Sequence, residues 1–238
     1  MKKISILIYT VIVVTIFVLY KPQEKQEMSE DNRKSAISVS QTIGYEKDSP
    51  NTQEYNIIEG HVLLDKIYRN IKELKDDSDL IIEGEVKNTK SLIYAQEPST
   101  ISEIKVYEVF KNIDDNIKTG STICVIEIGG VMDKSFMLEE LKMKFPNIFI
   151  DPNKIKPSKA ILDGISPMEV GDHVVIFLRK PKVKINEKTC YSILGAYQGK
   201  FKIDNDDVRH QVPKDLEDKF EDKISSKKEL IDLLSYTK

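Results

Sequence analysis

Three kinds of side chain in this sequence have the chemistry to do more than pack: histidines, cysteines and strand-borne glutamates. The histidines are His61, His173 and His210. None stands in an H-E-x-x-H run or another helix-spaced ligand pair. A zinc site needs three or four converging ligands, so no metal site is assigned and the rings are read as surface or strand histidines. The two cysteines are Cys124 and Cys190, both in apolar, strand-like runs. Two readings stay open for them. Outside the cytoplasm they form a disulfide if their strands are neighbours; the expectation here is two buried free thiols, because cysteine packs as a small hydrophobe. Neither sits in a nucleophile signature.

Glu83, Glu85 and Glu127 are the carboxylates that an acid/base pair, such as glycoside hydrolysis requires, would draw on. Alternation offers a simpler account. Leu80, Ile82, Gly84 and Val86 face inward, and Glu83 and Glu85 then face water, as on the open side of an antiparallel sheet. Gly129-Gly130 is too short for a phosphate loop and no Lys-Ser/Thr pair follows it. No catalytic residue and no cofactor is assigned.

These residues need strands to position them, and the sequence supplies the pattern. Runs at 80–86, 91–95, 104–110, 123–128, 173–178, 191–197 and 200–203 are rich in β-branched or aromatic residues, and glycines and Asn88 punctuate them. Before them, Leu63, Leu64, Ile67, Tyr68, Ile71 and Leu74 recur at three- and four-residue steps, which predicts a helix ending near Asp76 and Asp77. After them, Pro213 suits a first turn, Leu216, Phe220 and Ile224 form a stripe, and Ser226 with Glu229 makes a capping box before Leu230, Ile231 and Leu234. The expected fold is mainly β: a small OB-like antiparallel barrel with flanking helices, its core at about 79–203 and its C-terminal helices at about 213–236. Crossover helices for a parallel sheet are missing from the pattern.

The chain begins differently. Residues 4–20 are uncharged and apolar, with Lys2 and Lys3 before them and Lys21 and Pro22 after. At 1.5 Å per residue the run spans about 26 Å, enough to cross a hydrocarbon core. The exit, Val18-Leu19-Tyr20-Lys21-Pro22, has no small-residue cleavage site and no cysteine for a lipid, so residues 1–21 are read as an uncleaved signal-anchor helix rather than a removed signal peptide. The two lysines before it favour a cytoplasmic N-terminus, a single pass and a domain outside the cytoplasm. Residues 22–54 are polar and read as a flexible stalk, leaving 55–238 as the extracytoplasmic domain.

Three of the 36 basic residues, Lys2, Lys3 and Lys21, flank the apolar run, leaving 33 against 39 acids beyond it, a net of −6. An acidic domain without a Lys/Arg cluster lacks what phosphate backbones require, so nucleic acid is excluded as a partner. The Lys, Ile and Asn bias is of the kind found in AT-rich bacterial genomes. With 40% hydrophobic and 32% charged residues in 238, the chain suits one globular domain with extensions.

The segment 78–86, Ser-Asp-Leu-Ile-Ile-Glu-Gly-Glu-Val, following Glu73-Leu74, resembles the opening strand of small secreted or membrane-anchored bacterial domains. Residues 106–111, 120–123 and 171–178 continue the same order, which is similar to OB-like barrels of the netrin and metalloproteinase-inhibitor type. The resemblance spans roughly 63–203 and implies a fold. The inhibitors' N-terminal disulfide ridge has no counterpart here, so inhibition is not implied.

The most individual stretch is the connection from Gly129 to Gly171, longer than an ordinary loop. Phe136, Met137, Leu138, Leu141, Met143 and Phe145 fall partly at helical spacing. Packed on the barrel they would plug one end, which is the expectation; exposed, Phe136, Met137, Leu141 and Phe145 would offer an adaptable binding surface. The functional expectation is a membrane-tethered binding or interaction module, its partners the membrane through residues 4–20 and an envelope protein or ligand. An envelope hydrolase with a spatially assembled carboxylate or cysteine site is the alternative, and a structural spacer in an envelope complex is a third reading.

Overall fold

A computed structural model describes residues 37–38, 55–95, 97–113, 116–180, 184–185 and 188–236. The apolar run 4–20 and all but two residues of the expected stalk lie outside them. The protein is mainly β. In chain order the elements are β1 (Ile37–Ser38), β2 (Asn56–Val62), α1 (Ile71–Asp77), β3 (Leu80–Tyr94), β4 (Glu97–Asn112), β5 (Thr122–Ile128), β6 (Gly130–Met132) and α2 (Lys134–Lys144). A 3-10 turn (Pro152–Lys154) then precedes β7 (Ser158–Leu162), β8 (His173–Arg179), β9 (Lys184–Ile185), β10 (Lys188–Ile193), β11 (Lys200–Asp204), β12 (Asp207–His210), α3 (Lys214–Glu217) and α4 (Lys227–Tyr236).

The strands make two sheets. The larger runs β12-β11-β8-β3-β4-β5-β10-β9 and the smaller β1-β2-β7-β6. The three segments 80–86, 104–110 and 173–178 do lie in one sheet and pair antiparallel, β3 with both β4 and β8. The antiparallel expectation is corrected at two places, since β10 runs parallel to β5 and β7 runs parallel to β2. The large sheet ends in β12 and β9 rather than closing edge to edge, while two residue pairs between β10 and β8 curl its middle. Gly84 sits where the β3–β4 register shifts, and a Cβ there would meet the Lys105 carbonyl oxygen at 2.5 Å. Only glycine lets β4 press that closely.

Both faces of the large sheet are buried. Leu80, Ile82, Val86, Ile104, Val125, Val174 and Ile176 pack inside the curl. On the outer face Ile81, Val175, Phe177 and Phe201 pack against Ile71 and Leu74 of α1 and Leu230 and Leu234 of α4. The helix expected from Leu63 ends near Asp77 as its spacing predicts but starts only at Ile71. Asn70 caps α1 by accepting from the Glu73 backbone N–H at 2.9 Å, and the Tyr68 N–H donates to Gln198 Oε1 at 2.9 Å. The preceding apolar residues serve two different cores, Leu64 one and Tyr68 another. At the C-terminus the capping box forms as expected, with Glu229 accepting from the Ser225 and Ser226 N–H groups and Ser226 Oγ accepting from Glu229 N.

Cys124 and Cys190 are directly opposite each other on the parallel pair β5 and β10 and form a disulfide. The free-thiol expectation is thereby corrected. Strand pairing across 66 residues of sequence carries no local signal, which is why composition alone favoured two packed thiols.

Candidate functional site

Glu85 reaches solvent as expected, but Glu83 and Glu127 do not face water. Glu83 is on the outer face of β3, but α4 covers that face, and the residue is buried at 3% exposure. Its Oε1 accepts from His173 Nε2 at 2.6 Å and from Lys227 Nζ at 2.7 Å. β8 supplies the histidine because His173 is the register partner of Glu85, next to Glu83 on one face of the neighbouring strand. Glu85, two residues on, lies at the edge of this cover. Lys87 and the Tyr107 hydroxyl both donate to it and together hold its carboxyl below the usual range, Lys87 the more strongly. The same contact raises the Tyr107 phenol, whose ring meets His173 edge-on at 5.7 Å.

Glu127, on β5, is also buried. Its Oε2 accepts from Lys200 Nζ at 2.8 Å and its Oε1 from the Met168 backbone N–H at 2.6 Å. Lys200 donates again to the Ser166 carbonyl at 2.9 Å. Two hollows flank this pair. One is lined by Glu127, Leu162, Tyr197 and Lys200. The other, open to solvent, is lined by Lys159, Met168, Asp172, Lys200, Lys202 and Gln211. Its cations are matched by acids: Lys159 bonds Glu169 at 3.0 Å and Lys202 bonds Asp172 at 2.6 Å.

The three histidines have separate partners. His61 Nδ1 meets Asp163 at 2.7 Å, and Asp163 also accepts from the Tyr197 hydroxyl at 2.9 Å. His210 lies flat on Phe201, ring centroids 4.3 Å apart, with its Nε2 against the Gln198 carbonyl at 2.6 Å. Burial pushes its imidazole down to about 4. Among the described residues no group of three or more His, Cys, Asp or Glu is placed to hold a metal.

Chemically, Glu83 with His173 is an oriented acid/base pair of the kind a hydrolase uses. The carboxylate oxygen is shared with Lys227, neither hollow is lined by Glu83 or His173, and Cys124 is tied in the disulfide. Lys200 and Lys227, the cations that bury the two glutamates, were not singled out in the sequence. They approach from 73 and 144 residues away, with no spacing signal to find them.

The 129–171 connection leaves the small sheet at Met132 and returns at Ser158, which are register partners. Its two roots are therefore side by side, and between them residues 142–144 and 146–149 are exposed while Ile155 and Pro157 are buried. Asp133 caps α2 by accepting from Phe136 N at 2.7 Å. No residue of the helix is fully buried, so its stripe is neither sealed into a core nor laid open. Phe136, Met137, Leu138, Leu141 and Phe145 are half-buried. The outward apolar side chains are Met143, Ile148 and Phe149, at 69%, 58% and 90% exposure. The last two follow the helix without helical periodicity, so the stripe could not point to them. No protein-family model matches the chain, and no curated protein matches it in sequence.

Proposed function

We propose that the protein is an extracytoplasmic interaction module, held at a bacterial cell membrane by residues 4–20 as a single-pass signal-anchor. The observation that carries this reading is the 133–157 projection, which sets Met143, Ile148 and Phe149 in solvent while the groups with catalytic chemistry are committed to internal contacts. Large exposed apolar side chains grouped on one projection mark contact surfaces. The disulfide supports the compartment, since such bonds persist outside the reducing cytoplasm.

The OB-like core belongs to the same proposal. Its support is the pairing order β3-β4-β5-β10-β8, with β5 and β10 parallel and the ring completed by two residue pairs. That order supports an OB-type domain, whose barrel is likewise partly open. A netrin-like relationship is proposed on that order alone and extends to no activity.

The test is photo-cross-linking in intact cells, with a photoreactive residue at position 149 and, for comparison, at 63, where Leu63 is 61% exposed. Adducts at 149 well above those at 63 support the module. Equal labelling overturns it. External protease that removes a C-terminal tag from wall-stripped cells, sparing a cytoplasmic control, tests the topology. The Glu83–His173 contact at 2.6 Å favours a second reading, an envelope hydrolase. Under it His173→Gln abolishes turnover of envelope polymer while leaving the 149 adducts intact.

A further inference from the structure

We infer that the 133–157 projection docks onto the lipid surface of the membrane that anchors the chain, Phe149 and Ile148 entering the interface and Lys142 and Lys144 meeting anionic headgroups. The inference rests on the tethered-module reading and names the partner of its exposed surface. The chemistry of the patch carries it. Phe149, Ile148 and Met143 are exposed at 90%, 58% and 69%, and the last turn of α2 beside them carries Lys142 and Lys144. Protein interfaces deplete lysine and concentrate Trp, Tyr and Arg at their centres. Apolar side chains edged by lysine are the composition of segments that lie in a bilayer interface.

Charge does not oppose it. The domain beyond Lys21 is acidic, whereas residues 133–157 carry five lysines against four acids; Lys144 pairs with Glu140 at 3.8 Å and Lys154 with Asp151 at 4.0 Å, and Lys142 is exposed. Among the described residues no helix is long and apolar enough to cross a membrane, so the patch would rest on the surface rather than pass through it. A patch this small binds weakly by itself, and a second membrane signal makes such contacts persistent. Residues 4–20 supply that signal. The chain between residue 21 and β1 has 15 residues, with an upper reach of about 50 Å, whereas β2 measures only about 23 Å end to end. The projection can therefore face the bilayer whichever end of the small sheet the tether meets.

The chain has no tryptophan, so Phe149→Trp installs a single reporter at a site too exposed to disturb folding. The full chain is reconstituted into vesicles of phosphatidylcholine and phosphatidylglycerol, with and without bromine on the acyl chains. Leu63→Trp, at the far end of β2 from the projection's roots, is the reference. The expected result is emission from Phe149→Trp about twofold lower in brominated vesicles, an unchanged reference, and loss of the difference when Lys142→Glu and Lys144→Glu are added. Equal emission from both reporters in chain that floats with the vesicles overturns the inference, and adducts at 149 to a protein or a second copy would then leave the module reading standing. Chain that fails to float refutes the anchor instead, and absence of adducts at 149 refutes the module.

Discussion

The pair Glu127–Lys200 gives a sharp test of what holds the segment before β8 to the large sheet. Both side chains are nearly inaccessible, 5% and 3% exposed, and the contact is 2.8 Å. At an effective dielectric of about 20 the Coulomb attraction at that distance is about 6 kcal/mol. Desolvating two ions costs several kcal/mol each, so the intact pair contributes little net. Breaking it is another matter. Lys200→Met leaves the Glu127 carboxylate with the Met168 N–H and no cation, and it frees the Ser166 carbonyl, so unfolding free energy should fall by about 3–5 kcal/mol. The double replacement Glu127→Gln with Lys200→Met removes the stranded charge and keeps an acceptor for Met168, and should recover most of that loss. Urea unfolding of the full chain in micelles, followed by tyrosine emission, measures both. A coupling of at least about 2 kcal/mol is expected. If Lys200→Met costs less than about 1 kcal/mol, or the double variant simply adds the two single losses, the pair does not hold the 166–168 turn to β5 and β11.

The disulfide and the buried histidine give two further tests. Closing 66 residues between Cys124 and Cys190 should contribute about 4 kcal/mol by restricting the unfolded chain, so reductant, or Cys124→Ala with Cys190→Ala, should lower the urea midpoint accordingly; no effect of reductant would mean that the thiols are free. His210, held neutral with its imidazole down at about 4, lies below its unfolded value, so its contribution is complete above about pH 6.5 and is lost as pH falls toward 4. Between pH 7 and 5 this amounts to about 2 kcal/mol. His210→Phe should remove that part of the pH slope, and an unchanged slope would place the titration elsewhere.

The strands of the large sheet were legible because each carries enough β-branched residues to show in isolation. Residues 80–86 and 173–178 read as strands even though their outer faces are not solvated. What alternation could not show is the covering layer. A period of two locates a face but not what packs on it, and α1 and α4 turn the outer face of β3 into a second core. That is why Glu83 was misplaced in water. The small sheet was missed for a different reason: β6 and β7 are three and five residues long, too short for periodicity, and β2 lies next to an apolar run whose spacing imitates a helix. The α4 capping box was legible because Ser226 and Glu229 are three residues apart and satisfy the helix end by themselves.

The residues with chemistry behave as clamps between elements that the chain order keeps apart. Glu83 joins β3 to β8 and to the start of α4. Glu127 joins β5 to β11 and to the turn before β8. Asp163 joins β2 to the Tyr197 turn. A carboxylate that must also take up and release protons or substrate would have to break such a contact in each cycle, and the layer it fastens would loosen with it. The 133–157 projection carries no comparable burden. No residue of its helix is fully buried, its apolar stripe is half-buried, and the segment is rooted at two adjacent strand ends. None of its residues belongs to the hydrophobic clusters of the sheets, so contacts of its exposed side chains can change without disturbing them, which supports the proposed interaction surface.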